Sequence, residues 1–380
     1  MNLNSIYNTN KTDELFGRYI TNESIEPILN QLNTNNQLTI LGYSVNNNPI
    51  YGYKIGNGKS KIMIWSQMHG NESTTTKAII DFLIFLNSKS FESEIILKNC
   101  TLFFIPILNP DGAKLYTREN ANKVDLNRDF VDQSQPETKV LLKLFNEFKP
   151  NFCFNMHDQR TIFGLENSDK PATVSFLAPS FNQNKDYNHS RSIAANIIGN
   201  INQKLQEYLP NQVGRFDDSF NINCAGDYFQ SLKIPTILVE AGHFQNDYNR
   251  EETRKFIFYS LFFGIEALNQ TSINIDKYLE IPQNQVNFYD IIYNNVKIIF
   301  NNEEKIIKFA IQYIEQLIGN EIKFQAFFVK INNTEPLIGH LEYDAKQELY
   351  QDDNNNYPEI NQKADFNLGN YKIINGIKSN

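Results

Sequence analysis

His69 and Glu72 stand three residues apart in the stretch His69-Gly70-Asn71-Glu72, directly after an apolar run that ends at Trp65. An imidazole and a carboxylate are ligand types of a catalytic zinc, whose hydrolytic form needs three protein ligands and one open position for water. Taken alone, the pair is a weak signal and fits better a solvated turn whose carboxylate faces the start of a helix. Five histidines occur in the chain, which limits the choice of a third ligand. His157 follows the strand-like run Phe152 to Met156, His243 is its rival, and His189 lies in a polar loop rich in asparagine. Glu240 closes the apolar run Ile234 to Val239. A carboxylate at the carboxyl end of a buried strand in an open α/β sheet points into the crevice where such folds bind ligands, and there it can act as a base. A strand-end ion pair is the plainer use of the same residue.

These residues keep particular company. In order come Asn109-Pro110-Asp111-Gly112, Arg118, Asp125-Leu126-Asn127-Arg128, His157 and Thr236-Ile237-Leu238-Val239-Glu240. On these motifs, from Trp65 to Gly242, the chain resembles the zinc carboxypeptidases of the carboxypeptidase A type, in a divergent, bacterial-type branch. The resemblance implies that His69, Glu72 and His157 hold one Zn2+ and that Glu240 is the general base. It implies that Asn127 and Arg128 bind the substrate's terminal carboxylate, using the planar guanidinium fork, and that Asp125 takes the ring N–H of His69 and fixes its tautomer. Asn109 to Gly112 then marks a loop. Arg118, ten residues before Arg128, is similar to an arginine of the cytosolic carboxypeptidase branch that polarises the scissile carbonyl. One departure is the mobile tyrosine of the pancreatic-type enzymes: Phe216 to Cys224 carries none, and Tyr228 is the nearest. Asp227, thirteen residues before Glu240, suits by spacing a preference for a cationic terminal residue.

The elements that must carry these residues follow from apolar periodicity. The run Lys61 to Ser66 reads as a strand and Ser73 to Leu86 as the helix after it, which puts His69 and Glu72 on a strand-to-helix turn. Further strands are expected at Leu38 to Tyr43, Ile50 to Ile55, Thr101 to Ile107, Phe152 to Met156, Val174 to Leu177 and Thr236 to Glu240. Helices are expected at Ile25 to Leu32, Glu137 to Phe148, Ser190 to Tyr208 and Glu252 to Leu268. This alternation predicts an α/β fold, a mixed, mostly parallel sheet flanked by helices. Residues 1–272 are expected to form the catalytic domain. Residues 273–380, after a linker around Ile281-Pro282, are expected to form a small α+β appendage. Its predicted parts are a helix at Lys305 to Ile318, strands at Lys323 to Ile331 and Leu337 to Tyr343, and a polar stretch from Gln351 to Tyr357.

A net charge of −8 without a basic stripe argues against a nucleic-acid surface. The three cysteines, Cys100, Cys153 and Cys224, lack metal spacing and read as reduced thiols. No apolar run approaches a membrane span, and the first residues show no secretory pattern, so a cytoplasmic enzyme without a membrane partner is expected. Two function classes compete with a peptide-cleaving carboxypeptidase, whose substrates would include cell-wall peptides. One is an aspartoacylase-like zinc amidohydrolase that deacylates N-acyl amino acids. The other is a catalytically inert binding module on the same fold.

Overall fold

A computed structural model describes residues 2–268, 272–332, 336–353 and 357–379. Residues 354–356 of the predicted polar stretch lie outside the described residues. The chain divides into two compact units, residues 1–159 with 172–284, and residues 160–171 with 285–380. This division falls twelve residues later than the expected boundary after residue 272, and it assigns a short internal stretch to the second unit.

The strands of the first part of the chain are β1 (Leu38–Tyr43), β2 (Pro49–Gly56), β3 (Ser60–Trp65), β4 (Cys100–Ile105), β5 (Phe152–Asp158), β6 (Phe163–Leu165), β7 (Val174–Leu177), β8 (Val213–Arg215) and β9 (Thr236–Ala241). All except β6 join one eight-stranded sheet in the order β1-β2-β4-β3-β5-β9-β7-β8. The central strands β4, β3, β5 and β9 run parallel, while β1, β2 and β7 pair antiparallel with their inner neighbours. The helices are α1 (Leu3–Asn10), α2 (Asn22–Leu32), α3 (Thr74–Asn87), α4 (Phe91–Asn99), α5 (Pro110–Leu115), α6 (Pro136–Phe148), α7 (His189–Leu205), α8 (Ala225–Ser231), α9 (Glu251–Ala267) and the single turn α10 (Asp276–Leu279). The mixed sheet flanked by helices is the predicted architecture, to which α1, α4, α5, α8 and β8 are additions.

Alternation along the buried strands divides the core in two. Ile62, Ile64, Phe154 and Met156 face a large apolar cluster that contains the inner faces of α3, α7 and α9. Met63, Trp65 and Cys153 face a smaller one built from Leu141, Leu142, Leu144 and Phe148 of α6 and Ala225 and Phe229 of α8. This sets the topology that matters for function. From β3 the chain passes by α3 and α4 to β4 on one side, and it later returns by α6 to β5 on the other. The carboxyl ends of β3 and β5 are therefore adjacent at the point where the strand order reverses. Open α/β sheets bind ligands at such a point.

The second unit is β-structure rather than the predicted α+β appendage. β6 pairs with β10 (Asn284–Val286). A second sheet has the order β13-β12-β11-β14, from β11 (Phe288–Phe300), β12 (Glu303–Ile318), β13 (Glu321–Asn332) and β14 (Ile338–Asp344). A third consists of β15 (Tyr350–Gln351), β16 (Phe366–Leu368), β17 (Tyr371–Ile374) and β18 (Ile377–Lys378). The predicted helix Lys305 to Ile318 is strand β12. Its apolar residues satisfy both periods, but alternate positions Ile307, Phe309 and Ile311 enter the apolar cluster, and β11 and β13 pair it on both sides. Five isoleucines within it favour the pleated state, where a β-branched side chain loses little further freedom.

Candidate metal centre

The turn after β3 is held before any ligand is considered. Backbone N–H groups of Leu108 and Asn109 donate to the carbonyls of Ser66 and Gln67 at 3.1 and 3.0 Å, and Asn109 Nδ2 donates to Met68 O at 3.2 Å. Asn109 also caps α5 through Gly112 N at 2.9 Å. The predicted loop at Asn109 to Gly112 is thus the start of a short helix braced against the His69 turn. A Cβ on Gly70 would lie 1.9 Å from the carbonyl carbon of Gly112, so only glycine permits this approach. Asp111 anchors the other end of the brace, accepting from Ser44 Oγ, Asn46 N and Asn48 Nδ2 between β1 and β2.

His69 and Glu72 leave this turn, and His157 is the penultimate residue of β5; all three are buried. Their donor atoms converge. His69 Nδ1 lies 2.7 Å from Glu72 Oε1, His157 Nδ1 2.8 Å from Glu72 Oε2, and the two Nδ1 atoms are 3.2 Å apart. Among the described residues this is the one group of three or more His, Cys, Asp or Glu side chains whose ligand atoms close to within 4.8 Å.

Asp125, which caps the short 3-10 helix Leu126–Arg128, completes the arrangement. Its Oδ1 lies 3.0 Å from His69 Nε2 and accepts from Asn127 N at 2.8 Å. Its Oδ2 accepts from Arg118 Nε and Nη2 at 3.1 and 3.0 Å. With Asp125 on Nε2, the proton of His69 belongs on that nitrogen and the lone pair on Nδ1, toward Glu72 and His157. Two imidazole nitrogens and a carboxylate turned toward one point form an electron-rich donor set that suits zinc. Arg118, the outermost member and 42% exposed in its side chain, also points Nη1 at Glu72 Oε1, at 3.3 Å.

Burial opposes charge on all these groups, and their mutual pairing decides the direction. His69 and His157 outweigh burial and hold Glu72 well below the usual carboxylate range. Glu72 and Asp125 outweigh it for His69, whose imidazole is raised, whereas for His157 burial dominates and keeps the ring neutral. Asp125 is held far down by His69 and Arg118 in spite of burial. Glu240 moves the opposite way. Burial, reinforced by the carboxylates of Glu72 and Asp158, pushes it well above the usual range. Glu240 is the Cα partner of His157 across β5 and β9, so both side chains emerge on the same face of the sheet.

The remaining predicted residues stand nearby in the chain but outside the donor set. Asn127 Oδ1 accepts from Ala225 N at 2.8 Å, which ties the 3-10 helix to the start of α8. Arg128 Nη1 donates to its neighbour's carbonyl, Asn127 O, at 2.7 Å and to Cys224 Sγ at 3.1 Å. Tyr228, the tyrosine nearest the departure noted in the sequence, lies on α8 with its ring against Phe130 and Phe229. The buried Asp227 accepts from Asn221 N at 2.7 Å, and burial pushes its carboxyl up to about 7. His243 does not join the cluster. Its ring packs on Tyr248, with centroids 4.6 Å apart. All three cysteines are free thiols, as expected.

One residue of the site escaped the sequence reading. Asp158, adjacent to His157, accepts from Thr74 N and Thr75 N at 2.9 and 3.2 Å and so caps α3, while its own N–H donates to Glu72 Oε2 at 3.1 Å. It therefore fixes Glu72 from β5. A carboxylate next to a candidate ligand and a helix opening on three threonines were the available signals.

The chain is similar in fold and in sequence to known proteins. Solved structures of similar fold include a metallo-carboxypeptidase from Burkholderia cenocepacia, with a TM-score of 0.53, 16% identity and coverage of 67% of this chain and 70% of that one. Carboxypeptidase A from Helicoverpa armigera has a TM-score of 0.52, 17% identity and coverage of 66% and 73%. Among curated relatives, carboxypeptidase SOL1 of Arabidopsis thaliana is 28% identical over 167 residues, which span 38% of this chain and 34% of that protein. Carboxypeptidase D of Homo sapiens is 26% identical over 148 residues, 32% of this chain and 11% of that protein. The chain thus matches about a third or less of the length of these relatives. The zinc carboxypeptidase family matches residues 25–253, more than half of the 380-residue chain, and on that match this protein belongs to the zinc carboxypeptidase family.

Proposed function

We propose that this protein is a zinc-dependent carboxypeptidase that removes carboxy-terminal residues from peptides. The observation that carries the reading is the convergence of His69 Nδ1, His157 Nδ1 and the Glu72 carboxylate, with Asp125 on the far nitrogen of His69. Those three residues would hold one Zn2+. When bound, the ion supplies Lewis-acid polarisation of a carbonyl and a lower pKa for water.

The chain's own residues supply the rest. Glu240, a buried carboxylate on the same sheet face as His157, is suited to take a proton from the attacking water and to return it to the leaving amine. Arg118, positioned by Asp125 at the outer edge of the donor set, is suited to stabilise the charge that develops on the scissile carbonyl. Arg128 with Asn127 would receive the terminal carboxylate. In that role the Nη1 contact to Cys224 would give way to a charge-assisted, bidentate pair.

The runner-up is deacylation of N-acyl amino acids by an aspartoacylase-like amidohydrolase, a class that also carries a carboxy-terminal β-rich domain. One screen separates the two. Zinc-loaded protein is assayed on peptides with a free carboxyl terminus, on the same peptides amidated, and on N-acyl amino acids. Turnover confined to the free-acid peptides supports the carboxypeptidase reading. Turnover confined to N-acyl amino acids would replace it.

A further inference from the structure

The backbone ladder between β5 and β9 ends just beyond the two residues that matter. Its last rung is the N–H of Gln159 donating to Ala241 O at 2.8 Å, after which the two chains separate. Strand ends fray unless they are held, and here they carry His157 and Glu240. On its far side β9 is held by β7, with Gly242 N donating to Thr173 O at 2.8 Å, and one buried side chain bridges β9 to β5. Arg250 donates from Nη1 to Ala241 O and from Nη2 to Gln159 O, both at 2.5 Å, and its Nη1 lies 3.7 Å from Asp158 Oδ2. Asp158 in turn caps α3 and donates its N–H to Glu72. One guanidinium thus touches the end of the strand bearing His157 and the end of the strand bearing Glu240, and lies beside the carboxylate of the residue whose N–H steadies the third candidate ligand.

The backbone of Arg250 is shaped for this. It sits at φ +55°, in the left-handed region that a non-glycine residue seldom occupies, directly before α9. The turn is imposed from both sides, by Arg250 N donating to Asp247 O at 2.9 Å and by the Asp247 carboxylate capping Glu251, Glu252 and Thr253. Such strain persists where the surroundings over-determine it. Arg250 is 1% exposed and lies outside every motif described above.

We propose that Arg250 is a positioning residue, whose guanidinium clamps the carboxyl ends of β5 and β9 together and so sets the spacing of His157 and Glu240. The inference rests on the functional reading above. A planar fork can bridge two carbonyls that the single ammonium of lysine cannot hold in the same geometry.

The test compares Arg250→Lys with Arg254→Lys. Arg254 is an equally buried arginine of α9 that pairs with Asp81 and with the carbonyls of Thr12 and Leu15, away from the site. Both variants are expected to lower the melting temperature. Only Arg250→Lys should weaken zinc, by about 10- to 100-fold in a chelator competition on metal-stripped protein, and lower kcat by a similar factor, as loss of an outer support does. Its KM on a free-acid peptide should stay within about twofold, since the terminal carboxylate is bound elsewhere. Wild-type zinc affinity and kcat in Arg250→Lys would overturn the proposal and leave the functional reading standing; absence of zinc binding and turnover in the wild type would overturn both. If Arg250→Lys does not fold, hydrogen exchange of the wild type decides. The amide of Gln159, which donates to Ala241 O, should remain protected after zinc is stripped, and rapid exchange there would show that the clamp does not hold.

Discussion

His157 and Glu240 face each other across β5 and β9 as Cα partners in a parallel pair, one a candidate ligand and the other a candidate base. Their electrostatics diverge although both are buried. Burial favours a neutral imidazole at His157, which is the form a metal needs, and it raises the proton affinity of the Glu240 carboxylate, as a base requires. The same sheet register thus serves two opposite requirements.

Purified protein is expected to carry about one zinc per chain, because three ligands with an open position define such a site. His69→Ala, Glu72→Ala and His157→Ala should each lose it, as read by elemental analysis after dialysis. Stoichiometric zinc in His157→Ala would remove His157 from the ligand set.

Glu240→Gln should keep zinc and substrate binding while turnover falls by about 100- to 10,000-fold, the range for a positioned acid–base group. The amide keeps the shape and loses the proton acceptor. Turnover close to wild type would assign Glu240 to structure alone.

Arg128→Ala and Arg118→Ala should separate by substrate. Loss of a charge-assisted contact to the terminal carboxylate costs about 1.5 to 3 kcal/mol, or roughly ten- to 150-fold in kcat/KM on free-acid peptides, and far less on amidated ones. Arg118→Ala should slow both, because every amide passes through a charged carbonyl oxygen. Equal losses for Arg128→Ala on the two substrates would favour the amidohydrolase reading.

Asp227 gives a pH dependence that can be signed. Its folded-state pKa of about 7 lies above the ordinary 3.8, so it binds its proton more tightly folded than unfolded. The associated stability is present below about pH 4 and is lost as the pH rises to about 7, on the order of 2 to 4 kcal/mol by linkage. Asp227→Asn, which cannot ionise, should therefore raise the melting temperature relative to wild type more at pH 8 than at pH 5. A difference independent of pH would mean that Asp227 titrates normally.

What could be read from the sequence follows from how local the determining interactions are. The central strands of the large sheet and the helices α3, α6, α7 and α9 bury one face or more, and their periodicity shows it, whereas α1, α4, α5, α8 and β8 are too short to carry a clear period. Segment 305–318 was misread because Ile306, Phe309, Tyr313 and Leu317 satisfy a helical stripe as well as a strand, and only pairing with β11 and β13 decides between them. The residues His69, Glu72, Asp125 and His157 carried motif spacing, and the structure brings them into contact. Asp158 and Arg250 carried none. Their partners are the amides of Thr74 and Thr75 and the carbonyls of Gln159 and Ala241, and a backbone group leaves no mark on the identity of the residue that bonds it.

The second unit is not a tail that can simply be cut off. It draws its first segment, residues 160–171, from the chain immediately after β5, and the strand inside that segment, β6, pairs with β10 at residues 284–286. A protein ended before β10 would leave β6, which begins four residues past Gln159, without its partner strand. Shortening the chain from its carboxyl end should therefore unsettle the segment 160–171 as well, and a dye that binds exposed apolar surface would report it before any assay of turnover.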